Sequence, residues 1–217
     1  MKSTILSYAA FLLVLIFATQ SIPPTTGAKD FVYDVTGEKV LNDAPYSIGP
    51  VIWAKGGGIK LTDTKNNKKI CPSYVVQDPA EVNKGGKFLF TLISDNEKHE
   101  KYLQTSHILG IDSGRPKNGS CEKWTFWQIS DPEAKPPSSL VTTGGTIDDG
   151  PTCFQVVDYP KPTSSKVHSY MLQHCPYYCG GTPPVRCYNV SLYQDKGTRH
   201  LSVSRGTPFE FVFQKAK

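Results

Sequence analysis

The sequence predicts an all-β fold, and three observations predict it. Short runs rich in β-branched and aromatic residues recur along the chain, most of them alternating apolar and polar positions. That period of two is what a half-buried antiparallel strand requires. The joints between the runs are rich in Gly, Pro, Asn and Asp, which supply turn geometry. Sustained helical periodicity is scarce.

In chain order the expected strands are Phe31 to Val35, Tyr46 to Trp53, Phe88 to Ile93, Tyr102 to Ile111, Trp124 to Ile129, Cys153 to Val157, Val167 to Leu172, Val190 to Tyr193, His200 to Val203 and Phe209 to Phe213. In the last, Phe209, Phe211 and Phe213 share one face and Glu210 takes the other. Between Val51 and Leu61 the chain reads as strand, tight connection, strand, with Gly56, Gly57 and Gly58 permitting close backbone approach. Asp78-Pro79, Lys84-Gly85-Gly86, Gly144-Gly145 and Asp195-Lys196-Gly197 read as joints. Ten to twelve such strands imply a sandwich or a barrel-like fold. Tyr46-Ser47-Ile48, Tyr102-Leu103-Gln104 and Tyr170-Met171-Leu172 recur at roughly one third of the mature chain, about 63 residues, which suggests three similar units. The pattern alone does not choose between the architectures.

The chain opens on a targeting segment. Lys2 is followed by the apolar run Ala9 to Ala18, too short to span a bilayer, and then by polar residues and the triplet Thr26-Gly27-Ala28. Residues 1–28 are read as a signal peptide and its cleavage region, and 29–217 as one domain of secretory destination. Six cysteines, Cys71, Cys121, Cys153, Cys175, Cys179 and Cys187, then argue for three disulfides formed in an oxidising compartment. Zinc is the competing use, because His174 adjoins Cys175 and Cys179 follows; the chain has no Cys-x-x-Cys pair. Asn118-Gly119-Ser120 and Asn189-Val190-Ser191 are candidate glycosylation acceptors.

Catalytic signatures are missing. The sequence holds no Gly-x-Ser-x-Gly elbow, no His-Glu-x-x-His and no phosphate-binding loop after Gly56 to Gly58. Asp112-Ser113-Gly114 resembles one aspartic-protease triplet, but that chemistry needs two carboxylates brought together, and Asp148-Asp149-Gly150 does not match. The net charge of +5 is spread out, and the basic cluster Lys65 to Lys69 is read as a solvated turn. Enzyme activity, cofactors, metals and nucleic acid are not expected, and no membrane association is expected after signal cleavage.

The resemblance to a known family rests on ordered motifs: Asp30-Phe31-Val32-Tyr33-Asp34, Gly37 to Asn42, Tyr46 to Val51, Cys71-Pro72 with Val75-Val76-Gln77, Tyr170 to Pro176, Gly197 to Val203, and Phe209 to Lys215. Together they resemble the Kunitz soybean-trypsin-inhibitor family over nearly the whole mature chain. The resemblance implies a β-trefoil of about twelve strands and a secreted, monomeric protease inhibitor of plant-defence type. By position it implies the pairs Cys71–Cys121 and Cys175–Cys187, with Cys153 and Cys179 as the additional pair.

Inhibitory relatives present a convex loop between the fourth and fifth strands, here Ser94 to Lys101. By composition alone this stretch reads as a solvated hairpin. Counting back from the following strand places Lys98-His99 at the scissile position, between Glu97 and Glu100, with Lys101 the alternative. Asn42 aligns with the asparagine that braces the loop. The expected partner is a protease, of the serine class first. The alternatives are inhibition of cysteine or aspartic proteases through another surface, and a non-inhibitory binding, storage or defence role. The loop departs from the family pattern in lacking a proline before the cleaved bond.

Overall fold

Six strands close a ring. The computed structural model describes residues 30–62, 73–114, 125–147, 149–180, 184–204 and 206–216. The strands are β1 (Pro45–Pro50), β2 (Ile59–Thr62), β3 (Tyr74–Gln77), β4 (Phe88–Leu92), β5 (Ile108–Asp112), β6 (Phe126–Gln128), β7 (Thr142–Gly145), β8 (Phe154–Asp158), β9 (Tyr170–His174), β10 (Tyr188–Asp195), β11 (Thr198–Val203) and β12 (Phe211–Lys215). β1 pairs with β4, β4 with β5, β5 with β8, β8 with β9, β9 with β12, and β12 returns to β1, every pair antiparallel. Closure leaves the ring without an exposed sheet edge. The hairpins β2–β3, β6–β7 and β10–β11 meet one another through β3–β7 and β3–β11 pairing. A four-strand unit thus occurs three times, and the fold is a β-trefoil.

The alternation read from the sequence fills the barrel. β4 and β9 each bury every second residue. Inward side chains include Tyr46 and Ile48 of β1, Phe88 and Phe90 of β4, Phe154 of β8, Tyr170 of β9, and Phe211 and Phe213 of β12. The Phe213 ring lies 4.9 Å from Phe90, 5.3 Å from Phe211, 5.8 Å from Tyr170 and 6.0 Å from Tyr46. The two tyrosines keep their hydroxyls satisfied against the segment before β1. Tyr46 Oη accepts from Leu41 N (3.1 Å), and Tyr170 Oη accepts from Tyr33 N (2.7 Å). Burial pushes the Tyr170 pKa up to about 12, so its hydroxyl stays neutral. Val32 N bonds Leu103 O, and Leu103 N bonds Val40 O. The leading segment is thereby fixed along the chain entering β5.

Several boundaries differ from the sequence reading. Phe31 to Val35 makes isolated bridges instead of a strand, and Tyr102 to Gln104 likewise bridges Leu41 and Phe31, with β5 starting at Ile108. Tyr102 therefore does not occupy the position that Tyr46 and Tyr170 share. Gly144-Gly145, read as a joint, lies inside β7. A Cβ on Gly145 would stand 2.1 Å from Thr152 Cγ2, so glycine marks close packing here and not a turn. At Gly58 the close approach was legible: a Cβ would meet Lys84 O at 2.1 Å.

Cys153 is bonded to Cys179, and Cys175 to Cys187. His174 is fully buried beside them with Nε2 3.1 Å from Pro151 O, so the His174, Cys175, Cys179 group is committed to disulfides and packing rather than to zinc. Cys71, Cys121 and Asn118 lie outside the described residues, as do 1–28.

Candidate functional site

The chain between β4 and β5 returns on itself by local hydrogen bonds. Ser94 O accepts from Glu97 N (2.9 Å) and Lys98 N (2.8 Å), and Glu97 O accepts from Glu100 N (2.8 Å). Ile93 N bonds Ile108 O (3.1 Å) and closes the base. The residues at the tip are polar because nothing packs over them: Lys98, His99 and Lys101 are exposed, while Glu97 and Glu100 are half-buried.

Asn42 reaches this loop from the segment before β1. Its Nδ2 donates to Lys98 O (3.1 Å) and Glu100 O (3.0 Å), and its Oδ1 accepts from Leu92 N (3.0 Å). Its own backbone N–H donates to Lys101 O (3.0 Å). One short amide therefore ties the end of β4, the loop tip and the return strand together. An amide suits the task because it carries two donors and an acceptor on one rigid plane.

The consequence for the backbone is specific. Of the carbonyls from Glu97 to Lys101, those of Glu97, Lys98, Glu100 and Lys101 each accept a hydrogen bond. Among the described residues no donor reaches the His99 carbonyl. Side chains follow the same division. Lys98 Nζ turns back onto Asp95 Oδ1 (2.7 Å), and the ammonium holds the Asp95 carboxyl below the usual carboxylate range. Glu97 Oε2 lies 3.2 Å from His107 Nδ1. Lys101 Nζ sits over the Tyr102 ring at 5.3 Å. The Asn42 amide is the element that a residue count along the loop does not reveal; the carbonyl it leaves open is invisible without the backbone bonds.

The remaining sequence candidates lie apart from the loop. Asn189 is half-buried in β10, where its Oδ1 accepts from Gln173 Nε2 (2.8 Å), which in turn is linked through Gln173 Oε1 to Gln155 Nε2 (2.6 Å). Ser191 of the same tripeptide is fully buried, its Oγ 3.2 Å from Gly206 O. A glycan on Asn189 would displace this amide relay.

A β-trefoil that presents a short loop braced from beneath by an asparagine defines a class of binding scaffold. Residues 32–215 match the legume Kunitz family, described as trypsin and protease inhibitor, and the chain belongs to that family. It is 30% identical to the Kunitz-type trypsin inhibitor KTI1 of Glycine max over 223 residues, covering 99% of this chain and 97% of that one. Among solved structures it is similar to the Kunitz-type cysteine protease inhibitor PCPI-3 from potato, with a TM-score of 0.69, 27% identity and coverage of 88% and 99%. It is also similar to soybean trypsin inhibitor in its complex with porcine pancreatic trypsin, with a TM-score of 0.67, 25% identity and coverage of 87% and 100%.

Proposed function

We propose that the protein is a secreted protease inhibitor that engages a serine endopeptidase in the manner of a substrate through 94–101, with His99–Glu100 as the bond presented. The observation that carries this reading is the open carbonyl of His99. A serine protease polarises the scissile carbonyl by backbone N–H donors of its oxyanion hole, so that oxygen must be unengaged. Lys98 O and Lys101 O, which the bonds after those residues would have to offer, are both held by Asn42. The reading therefore moves the primary residue from Lys98 to His99, with Lys98 preceding it.

The rest of the mechanism follows from restraint. Glu100 O and Lys101 O stay tied to Asn42 on the leaving side, so a released amine would remain in place and could re-form the bond. Pre-ordering of the loop also removes part of the entropic cost of association. A planar imidazole at the primary position suits a slot that takes rings better than one floored by an aspartate. The apolar run near the amino terminus, together with disulfides at Cys153–Cys179 and Cys175–Cys187, supports entry into the secretory pathway.

One observation favours a second reading, a trefoil whose loop is folded for its own sake. Glu97 and Lys98 N–H are satisfied by Ser94 O, and Lys98 Nζ by Asp95, so binding an enzyme in extended form has to open that turn. Backbone bonds of this kind contribute about 1 kcal/mol each, a cost that a tight interface can offset. Titrating the purified mature protein against trypsin-like, chymotrypsin-like and subtilisin-like enzymes decides between the two. Inhibition of a ring-accepting enzyme, weakened at least about thirtyfold by His99→Ala and little by Lys98→Ala or Lys101→Ala, supports the proposal. Inhibition lost with Lys98→Ala alone returns the primary position to Lys98, and no inhibition by the wild type favours the second reading.

A further inference from the structure

Eight loop residues are too few to hold an enzyme alone, since a stable inhibitor interface covers about 800 Å² and roughly 20 residues on each partner. The enzyme must therefore rest on whatever stands at the loop's base. The fold determines what that is. β5 follows the loop and pairs with β8 at Ile108–Gln155 and Leu109–Phe154, which brings Cys153 and its disulfide partner Cys179 beside the loop. Ile93, Ser94 and Glu97 of the loop, with Ser106 and Ile108, line an open cleft whose far wall is Tyr178 and Cys179.

That far wall is a single 3₁₀ turn, Pro176–Cys179, clamped at both ends. Cys175, fully buried, is bonded to Cys187, and Cys179 is bonded to Cys153, also fully buried. Pro176 fixes the first turn position, and Gly180 ends it in the left-handed region at φ 80°. Against this rigidity, Tyr177 and Tyr178 are 39% and 59% exposed, their rings meeting edge to face at 6.1 Å. Large aromatic rings left in water on a pre-ordered support are what interface anchors look like, because little motion remains to be lost when a partner covers them.

We propose that the turn Pro176–Cys179 is a second contact surface for the protease engaged at 94–101, with Tyr178 packing on the rim of the enzyme's cleft and Tyr177 supporting it. The inference rests on the loop reading above, and it predicts that affinity is shared between a loop that addresses the catalytic centre and a shoulder that does not.

The test measures inhibition constants against whichever enzyme the wild type inhibits, for Tyr178→Ala, Tyr177→Ala/Tyr178→Ala, Tyr178→Phe and the exposed control Val82→Ala, with thermal unfolding confirming that each variant folds. The expected result is a ten- to hundredfold weakening in the double variant, expressed in faster dissociation. Tyr178→Phe should retain most of the affinity and Val82→Ala all of it. An unchanged constant for the double variant, while His99→Ala loses inhibition, overturns the shoulder and leaves the loop reading standing. Double-variant and His99→Ala proteins that both inhibit like the wild type overturn the two together, as does a wild type that inhibits nothing.

Discussion

At the scale of single residues, Asn42 organises the site with four hydrogen bonds that reach Leu92, Lys98, Glu100 and Lys101. Its removal is expected to loosen the loop without removing any atom that faces an enzyme. Asn42→Ala should weaken inhibition by roughly tenfold or more, since each net hydrogen bond contributes about 1 kcal/mol. It should also raise the rate at which the loop is hydrolysed during prolonged incubation. Asn42→Asp keeps an acceptor for Leu92 N but loses both donors to the loop, and should behave like the alanine variant. Chromatography of cleaved protein over time, alongside inhibition constants, checks both. Hydrolysis no faster than wild type in either variant would show that the loop holds its shape without the amide. The sequence offered Asn42 only through family resemblance, because it lies about 55 residues from the carbonyls it holds, and no local pattern links the two.

At the scale of elements, β9 ends in a titratable group that folding has removed from water. His174 is fully buried, packed by Phe154 at 5.2 Å between ring centroids, and burial pushes its pKa from 6.5 down to about 4. A lowered histidine pKa means that the unfolded chain binds the proton more readily than the folded one. Stability is therefore complete above pH 6.5 and falls as pH drops through 6.5 toward 4, by about 3 kcal/mol at the lower limit. Urea unfolding at pH 7 and pH 4.5 should show this loss in the wild type, and a smaller one in His174→Gln, whose amide can still donate to Pro151 O. Equal losses in both proteins would assign the acid sensitivity to carboxylates. Element boundaries illustrate where periodicity stops being informative. β12 was legible because Phe209, Phe211 and Phe213 recur at every second residue, whereas β7 was hidden, since Thr142-Thr143-Gly144-Gly145 packs through small residues and so resembles a turn.

At the scale of the whole molecule, the closed six-strand ring turns a chain of short, individually weak strands into a support for one small loop. Closure depends on contacts far apart in sequence, such as Tyr46 opposite Lys215 and Ile108 opposite Gln155, so alternation alone predicted a β protein and left sandwich and barrel undecided. Threefold recurrence was faint for a physical reason. The positions that repeat are inward-facing and need only volume and apolarity, so the first buried apolar side chain is Tyr46 in β1 and Tyr170 in β9 but Leu109 in β5. Whether this scaffold presents the His99–Glu100 bond to a protease is decided by mapping where a target enzyme cuts. The mature protein is incubated with a catalytic amount of the inhibited protease, and the new amino terminus is sequenced. A single slow cut that exposes Glu100, with the nicked protein still inhibitory, is the predicted result. A cut that exposes His99 or Tyr102, or rapid degradation at many sites, would contradict it.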